Sequence, residues 1–278
     1  MTAAVTVLKS VGDAPLRPDF DETRLAWLMQ GVQANRFLPE PTIDSIFVGD
    51  GDYRAIGSEF LGHLVRLGGL LPDDRVLDIG SGIGRIAVPL TQYLTPAGAY
   101  WGVDPVADGV AWCKQHITPV YDNFRFDHID VAHHIYNPKG AIKGEALRLS
   151  FEPESFEFIF MVSVATHLPP REIAAYIREA RRLLVPGGRL FITAFILDEV
   201  AQRALPQRDP RLAFKREGEG PAWLVDRTAP LSAVGFDDGF FERVIQGLGL
   251  SLCLKSLGHW RGQKAAHYQD ILVVEKKG

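Results

Sequence analysis

The hydrophobic and polar positions between residues 70 and 195 alternate between two periods, one typical of strands and one typical of helices. Runs rich in branched and aromatic residues predict strands at 75–79, 100–103, 124–129, 156–162 and 189–195. The stretches between them predict helices at 83–93, 106–115 and 171–184. Strands that alternate with helices pair in parallel, so we expect an α/β fold with a doubly wound sheet.

The N-terminal region departs from this alternation. Residues 1–20 show no periodic pattern and predict a loose arm. Apolar residues at helical spacing predict an amphipathic helix over 22–34, and a second helix is expected over 54–67. We expect residues 1–68 to form an N-terminal arm and helices that cover the site of the main domain, residues 69–278.

The C-terminal region also departs from the alternation of strands and helices. A helix at about 238–248 precedes strands at 250–257 and 268–275, and the ten residues between these strands are too few for a helical crossover. The two strands should therefore pair antiparallel, which predicts a mostly parallel seven-stranded sheet with an antiparallel last strand. The segment at about 196–236 contains four prolines and is expected to form a lid-like insertion over the substrate.

A glycine-rich turn follows the first predicted strand. Gly80, Gly82 and Gly84 stand at alternate positions, whereas the dinucleotide fingerprint has its third glycine three positions after the second, where Arg85 stands here. Asp78 ends the strand just before the turn; its carboxylate would repel a pyrophosphate and attract an ammonium or sulfonium group. Spacing and charge together favour a cationic ligand without phosphates, although Asp78 alone is also typical of a turn or helix cap.

Two further acids follow the next two strands. Asp104 stands 22 residues after Gly82, at a position where an acid accepts hydrogen bonds from both ribose hydroxyls of a nucleoside. Asp130 follows the third strand, where it would accept from an adenine amino group while Val131 covers the ring. The alternatives are an N-cap role for Asp104 and a surface charge for Asp130.

These residues resemble the motifs of class I S-adenosylmethionine-dependent methyltransferases. The resemblance rests on VLDIGSGIGR, GVDP, the Asp130 step and LLVPGGRLFIT, and it covers roughly residues 70–195. It implies a Rossmann-like methyltransferase fold and S-adenosyl-L-methionine as the cofactor. The cofactor-binding residues that it implies are Asp78, Gly80, Ser81, Gly82, Asp104, Pro105, Asp130, Val131, Val162 and Ser163.

The resemblance also directs attention to the turn after the fourth strand, which similar enzymes place under the reactive sulfur. His167 in this turn is the candidate catalytic residue, as a general base or as a group that orients the acceptor. The alternative is that it holds the turn by hydrogen bonding. The chain lacks a [DN]-P-P-[YF] motif, which argues against amino groups of adenine or glutamine as acceptors. His133 and His134 precede a turn and are expected to be solvated.

The composition indicates which classes of binding partner to expect. The formal charge of −4 gives no general reason to bind nucleic acid or an anionic membrane. The two cysteines, Cys113 and Cys253, form no CxxC or zinc-like cluster, so no metal is expected. The N-terminus lacks a signal-peptide core, and we expect a cytoplasmic enzyme that methylates an oxygen or nitrogen of a small-molecule acceptor such as a metabolite, sugar or natural product. Both a monomer and a homodimer are compatible with the resemblance.

Two other functions remain open at this point. A NAD(P)-dependent oxidoreductase also begins with a strand, a glycine-rich turn and an acid on the ribose. A nucleoside-binding module without catalysis would keep the same cofactor residues. Binding of the cofactor product or of NAD, and turnover with a labelled methyl group, separate the three.

Overall fold

The computed structural model describes residues 21–47, 49, 51–205, 212–226 and 228–278; the expected arm at 1–20 lies outside these ranges. The strands are β1 (Arg75–Ile79), β2 (Ala99–Asp104), β3 (Phe124–His128), β4 (Phe156–Met161), β5 (Leu184–Ala194), β6 (Ile196–Leu197), β7 (Lys215–Arg216), β8 (Ala222–Leu224), β9 (Val234–Asp237), β10 (Leu250–Ser256) and β11 (Asp270–Lys276). The α-helices are α1 (Glu22–Ala34), α2 (Tyr53–His63), α3 (Ala87–Leu90), α4 (Ala107–His116), α5 (Pro170–Leu183), α6 (Glu199–Ala204) and α7 (Phe240–Gly247).

The main sheet has seven strands in the order β10-β11-β5-β4-β1-β2-β3. Strands β1 to β5 pair in parallel, as the crossovers through helices require. Strand β11 runs antiparallel to both of its neighbours, with Asp270 opposite Ala194 of β5. The predicted fold class is confirmed: a doubly wound, mostly parallel α/β sheet whose last strand is antiparallel.

Alternating side chains of the strands build a core on each face of the sheet. On one face, Ile159 of β4 packs with residues of α5 and α7, such as Ile177 and Ile245. On the other face, Phe158 packs with residues from α1 to α4, such as Leu25 and Cys113. The helices predicted over 22–34 and 54–67 therefore complete the second core.

The predicted helix over 83–93 is wrong in its length. It is reduced to the single turn α3, with hydrogen-bonded turns on either side. Gly84 has a φ of +79°, which is not helical, so the helix starts late. Pro89 then has no N–H to donate, which limits how far regular helical bonding extends.

The insertion predicted at about 196–236 forms a small four-stranded sheet in the order β6-β9-β8-β7. Its apolar residues pack around Phe195, Phe214 and Trp260, with Trp223 partly buried beside them. The indole N–H of Trp223 donates to Asp237. Phe214 and Trp223 thus stabilise the insertion and do not line the cavity described below.

No helix within the described ranges is both long and apolar enough to cross a lipid bilayer.

Candidate cofactor and acceptor site

A cavity of about 720 Å³ lies beyond the carboxyl ends of the parallel strands. Open α/β sheets bind their ligands at this edge, and the volume falls within the usual range for small-molecule sites. The predicted site residues that line it are Asp78, Gly80, Ser81, Gly82, Asp104, Pro105, Val131, Val162, Ser163 and His167. Asp130 is the exception.

The glycine-rich turn approaches the cavity with its main chain. Gly80, Gly82 and Gly84 have φ angles of +93°, +56° and +79°, in the region that favours glycine. A Cβ on Gly80 would lie 2.4 Å from a methyl group of Val164, so this position has no room for a side chain. At these glycines the turn therefore places backbone, and not side chains, against this end of the cavity.

Asp104 connects the end of β2 to the glycine-rich turn. Its carboxylate accepts hydrogen bonds from the N–H of Gly82 at 2.7 Å and from the N–H of Val106 at 2.8 Å. Burial raises the pKa of Asp104 to about 6, against the opposing effect of these two hydrogen bonds. Each oxygen keeps a second lone pair, so the carboxylate can still accept from a ligand hydroxyl.

Asp78 lies at the cavity wall with only 2% of its surface exposed. Its Oδ2 accepts a hydrogen bond from the hydroxyl of Tyr100 at 2.6 Å. Burial raises the pKa of Asp78 well above its ordinary value, and the nearby charge of Asp104 raises it further. No cationic side chain among the described residues forms an ion pair with Asp78.

Two other polar atoms in this part of the wall are buried without a partner. They are the hydroxyl of Ser81 and the Nε of Arg85, and both residues line the cavity. One terminal nitrogen of Arg85 donates to the carbonyl of Gly49 at 3.0 Å. Buried polar groups in native proteins are almost always hydrogen-bonded, so these two atoms are exceptions.

These features fit an adenosyl amino acid. A buried carboxylate without a cation suits its ammonium group, and the Arg85 guanidinium at the cavity wall suits its carboxylate. Asp104 suits the ribose hydroxyls. No pattern in the sequence marks Arg85 as a binding residue; the one available signal is its position directly after the third glycine.

Asp130 and Val131, which follow β3, differ in their position relative to the cavity. Val131 is buried at the cavity wall, as expected. Asp130 is exposed, and its carboxylate accepts a hydrogen bond from the side chain of Asn137 at 3.1 Å. The structure therefore does not bring Asp130 to the cavity, because the loop after β3 turns its side chain towards Asn137.

His167 is held by the insertion. Its Nδ1 lies 2.9 Å from the carbonyl oxygen of Leu231. A carbonyl only accepts, so Nδ1 carries the proton and Nε2 keeps a free lone pair in the neutral ring. Burial lowers the pKa of His167, and the hydrogen bond to Leu231 opposes that effect. A neutral imidazole with a basic nitrogen at a cavity wall has the form that a general base requires.

His133 is not solvated, contrary to expectation. Its Nε2 donates to the carbonyl of His167 at 2.9 Å, and its Nδ1 accepts from the N–H groups of Ile135 and Tyr136. Both ring nitrogens are thus used, which leaves His133 to fix the backbone of His167 in place.

The far end of the cavity is built by elements remote in sequence. Glu59 and Phe60 come from α2, Phe195 follows β5, and Tyr268 precedes β11. Residues of the insertion, among them Ser232, complete the wall. No sequence motif marks these residues.

Among the residues that the structure describes, no group of three or more His, Cys, Asp and Glu side chains is arranged to hold a metal ion. Cys113 and Cys253 are both free thiols, the first buried and the second half-buried.

Part of the chain is similar in sequence to known proteins. Residues 77–192 match the family model described as a methyltransferase domain. The arsenite methyltransferase of Aquipseudomonas alcaligenes is 33% identical over 129 residues, which cover 46% of this chain and 35% of that protein. The chain spans less than half the length of the curated relatives that it first matches.

Solved structures share the fold. The PH0226 protein of Pyrococcus horikoshii superposes with a TM-score of 0.57 at 18% identity, covering 84% of this chain and 95% of that one. The magnesium protoporphyrin IX methyltransferase of Synechocystis, solved with bound SAH, superposes with a TM-score of 0.52 at 16% identity, covering 82% and 90%. Likeness at these identities establishes the fold.

Proposed function

We propose, from the match of residues 77–192 to the methyltransferase-domain model, that the protein is a class I S-adenosylmethionine-dependent methyltransferase that methylates an oxygen or nitrogen of a small-molecule acceptor. The family match and the fold support this proposal for the cofactor.

The observation that carries the proposal is the environment of Asp78. A carboxylate buried in a protein without a cation is costly, and it is retained where a ligand supplies the opposite charge. The wall near Asp78 consists of backbone that leaves room for a ligand, and a pyrophosphate would be repelled there. This favours a cationic adenosyl amino acid over a dinucleotide.

We assign the cofactor contacts on the same grounds. Asp78 would bind the amino group of the methionine part, and Gly80 and Gly82 would lie along its chain. Asp104 would accept from the ribose hydroxyls through its remaining lone pairs. Val131 and Pro105 line the part of the cavity where the adenine would lie.

In this reaction the protein would align the acceptor with the methyl group and remove the proton of the acceptor hydroxyl. S-adenosylmethionine supplies a methyl group whose bond to sulfur breaks as a lone pair of the acceptor forms the new bond. His167 would take the proton of an acceptor hydroxyl on Nε2, because Nδ1 already donates to Leu231. Burial of His167 in a wall closed by the insertion keeps water away from the reacting atoms.

A small acceptor suits the walls of the cavity. Helix α2 covers one side and the insertion covers another, so the space beyond the cofactor is partly enclosed. We propose that the described residues between 21 and 68, and those of the insertion at about 196–236, act as these covers. An enclosed cavity in an acidic chain does not suit a nucleic-acid duplex.

The direct test is transfer of a tritium-labelled methyl group from S-adenosylmethionine to a panel of hydroxyl and amine metabolites. We expect labelled product with the wild-type protein and at least tenfold less with Asp104→Asn, which is predicted to bind the cofactor poorly. Binding of S-adenosylhomocysteine without transfer to any acceptor would instead favour a nucleoside-binding module without catalysis.

A further inference from the structure

Gln269 lies in the cavity wall just before β11, beside the carboxyl ends of β4 and β5. Its Oε1 accepts hydrogen bonds from the hydroxyl of Thr193 at 2.5 Å and from the hydroxyl of Ser163 at 3.2 Å. Its Nε2 makes no hydrogen bond with any residue that the structure describes. The amide therefore presents two unused N–H donors at the wall.

The orientation of this amide follows from its neighbours. The hydroxyl of Thr193 accepts from the backbone N–H of Ser163 at 2.8 Å, and its own proton goes to Oε1 of Gln269. In the flipped orientation that proton would face the amide nitrogen and lose its acceptor. Thr193 is fully buried, so water does not replace the lost contact.

The backbone around the amide is also fixed. Ser163 has a φ of +59°, which is unusual for a residue other than glycine, and its bond to Thr193 holds this conformation. On the other side, Nδ1 of His267 donates to the carbonyl of Gln269 at 2.6 Å, while Nε2 accepts from the hydroxyl of Ser256. Retained strain and a locked side chain at a cavity wall indicate a position kept for a ligand.

The location of Gln269 indicates which ligand. Arg85 and the glycine-rich turn lie at the end of the cavity assigned to the cofactor's amino acid. Gln269 contacts Ser163, and His167 follows four residues later in the same loop after β4. Phe195 and Tyr268 flank Gln269 along the chain or across the sheet, and the polar side chains beside it, Ser163, Thr193 and His267, are already hydrogen-bonded. An amide donor with no partner in such a wall discriminates for a hydrogen-bond acceptor.

We propose that the two N–H groups of Gln269 bind an oxygen of the methyl acceptor. The acceptor class is then a small hydroxyl compound that carries a second oxygen, such as a carbonyl, on the same face as the hydroxyl that is methylated. This inference rests on the proposed function and makes Gln269 a determinant of acceptor specificity.

The test compares two phenols that differ only in this oxygen, 3-hydroxyacetophenone and 3-ethylphenol. Their affinities are measured by calorimetry on protein saturated with S-adenosylhomocysteine. The variant Gln269→Glu keeps an oxygen for the hydroxyls of Thr193 and Ser163 but replaces the N–H donors with an acceptor. The matched control is Gln246→Glu, the same change at an exposed position of α7.

We expect the wild-type protein and Gln246→Glu to prefer the ketone by about fivefold to tenfold, the effect of one net hydrogen bond. Gln269→Glu should lose this preference while it still binds S-adenosylhomocysteine. An equal affinity for the two phenols, a preference that survives in Gln269→Glu, or no binding of either phenol would overturn the inference alone. Failure of the wild-type protein to bind S-adenosylhomocysteine would overturn the proposed function, and this inference with it.

Discussion

The hydroxyl of Tyr100 donates a hydrogen bond of 2.6 Å to Oδ2 of Asp78, and the two side chains are almost completely shielded from solvent. This bond stabilises the charged form of Asp78, but burial outweighs it and the pKa of Asp78 stays well above its ordinary value. A neutral tyrosine thus supports a carboxylate that no protein cation neutralises among the described residues. We interpret the pair as half of a binding site whose other half is the ligand's ammonium group.

The first prediction concerns the charge of Asp78. The variant Asp78→Asn should bind S-adenosylhomocysteine about 10-fold to 100-fold more weakly, because a hydrogen bond between charged groups contributes about 1.5–3 kcal/mol. The unliganded variant should melt at the same temperature as the wild type or higher, because it no longer buries an ionisable carboxyl. Calorimetry and thermal unfolding measure the two effects.

The control for Asp78→Asn is Asp127→Asn. Asp127 is an exposed acid at the end of β3 whose carboxylate lies 3.3 Å from Nζ of Lys114. Exposed pairs contribute little, so neither affinity nor melting temperature should change appreciably. Equal loss of affinity in both variants would show that net charge, and not the Asp78 site, governs binding.

The second prediction concerns pH. The pKa of Asp104 in the unliganded protein is raised to about 6 by burial, and ribose hydroxyls would donate to its ionised form. Ligand binding should therefore favour ionisation, so affinity for S-adenosylhomocysteine falls as pH drops below about 6 and protons are released on binding near pH 6. Calorimetry in buffers with different ionisation enthalpies measures that release.

Asp104→Asn serves as the comparison in the pH experiment. The variant should bind more weakly at every pH but lose the additional decrease that Asp104 causes at acidic pH. For unliganded protein the sign is opposite. The pKa of Asp104 is about 6 in the folded state and 3.8 ordinarily, so the folded state holds the proton more tightly than the unfolded state. The free energy of unfolding of the wild type should therefore fall relative to that of the variant as pH rises from 4 to 6.

The third prediction concerns the contact between α2 and Arg85, directly after the glycine-rich turn. A Cβ on Gly57 would lie 2.3 Å from the backbone carbonyl oxygen of Arg85. Gly57→Ala should destabilise the protein by about 1–3 kcal/mol, the usual effect of overpacking, and weaken cofactor binding by displacing the loop. Urea unfolding and calorimetry measure these changes.

Gly31→Ala is the matched substitution, since Gly31 lies in α1 with nothing within 4 Å of an added Cβ. It should stabilise the protein by about 0.5–1 kcal/mol, because alanine loses less conformational entropy than glycine in a helix. Destabilisation of similar size in both variants would contradict the proposed contact.

The fourth prediction concerns the tautomer of His167. Nitrogen-15 NMR should show the proton on Nδ1 and a free lone pair on Nε2, because Nδ1 donates to Leu231. The pKa of His167 is lowered by burial, so its ring should stay neutral at pH values where a free histidine begins to protonate. A ring protonated on Nε2 would contradict its assignment as the base.

The sequence pattern predicts those parts of the site that the backbone determines. Asp78, Gly80 and Asp104 line the cavity, because strand ends and a glycine-rich turn allow few alternatives for the positions of these residues. The mostly parallel seven-stranded sheet followed from the alternation of strands and helices, and the antiparallel last strand followed from a short connection; both are confirmed.

The parts that could not be predicted depend on tertiary contacts. His133 is buried by contact with His167, which stands 34 residues away in the chain. Gln269 enters the site only because β11 lies beside β5. A local sequence pattern does not predict contacts between elements that are distant in the chain.

The most direct test of the central claim is calorimetric titration of the wild-type protein with S-adenosylhomocysteine and, in the same buffer, with NAD. A crevice shaped by Asp78 and the glycine-rich turn for a cationic adenosyl amino acid should bind S-adenosylhomocysteine at one site and leave NAD unbound. Binding of NAD without binding of S-adenosylhomocysteine would contradict the account.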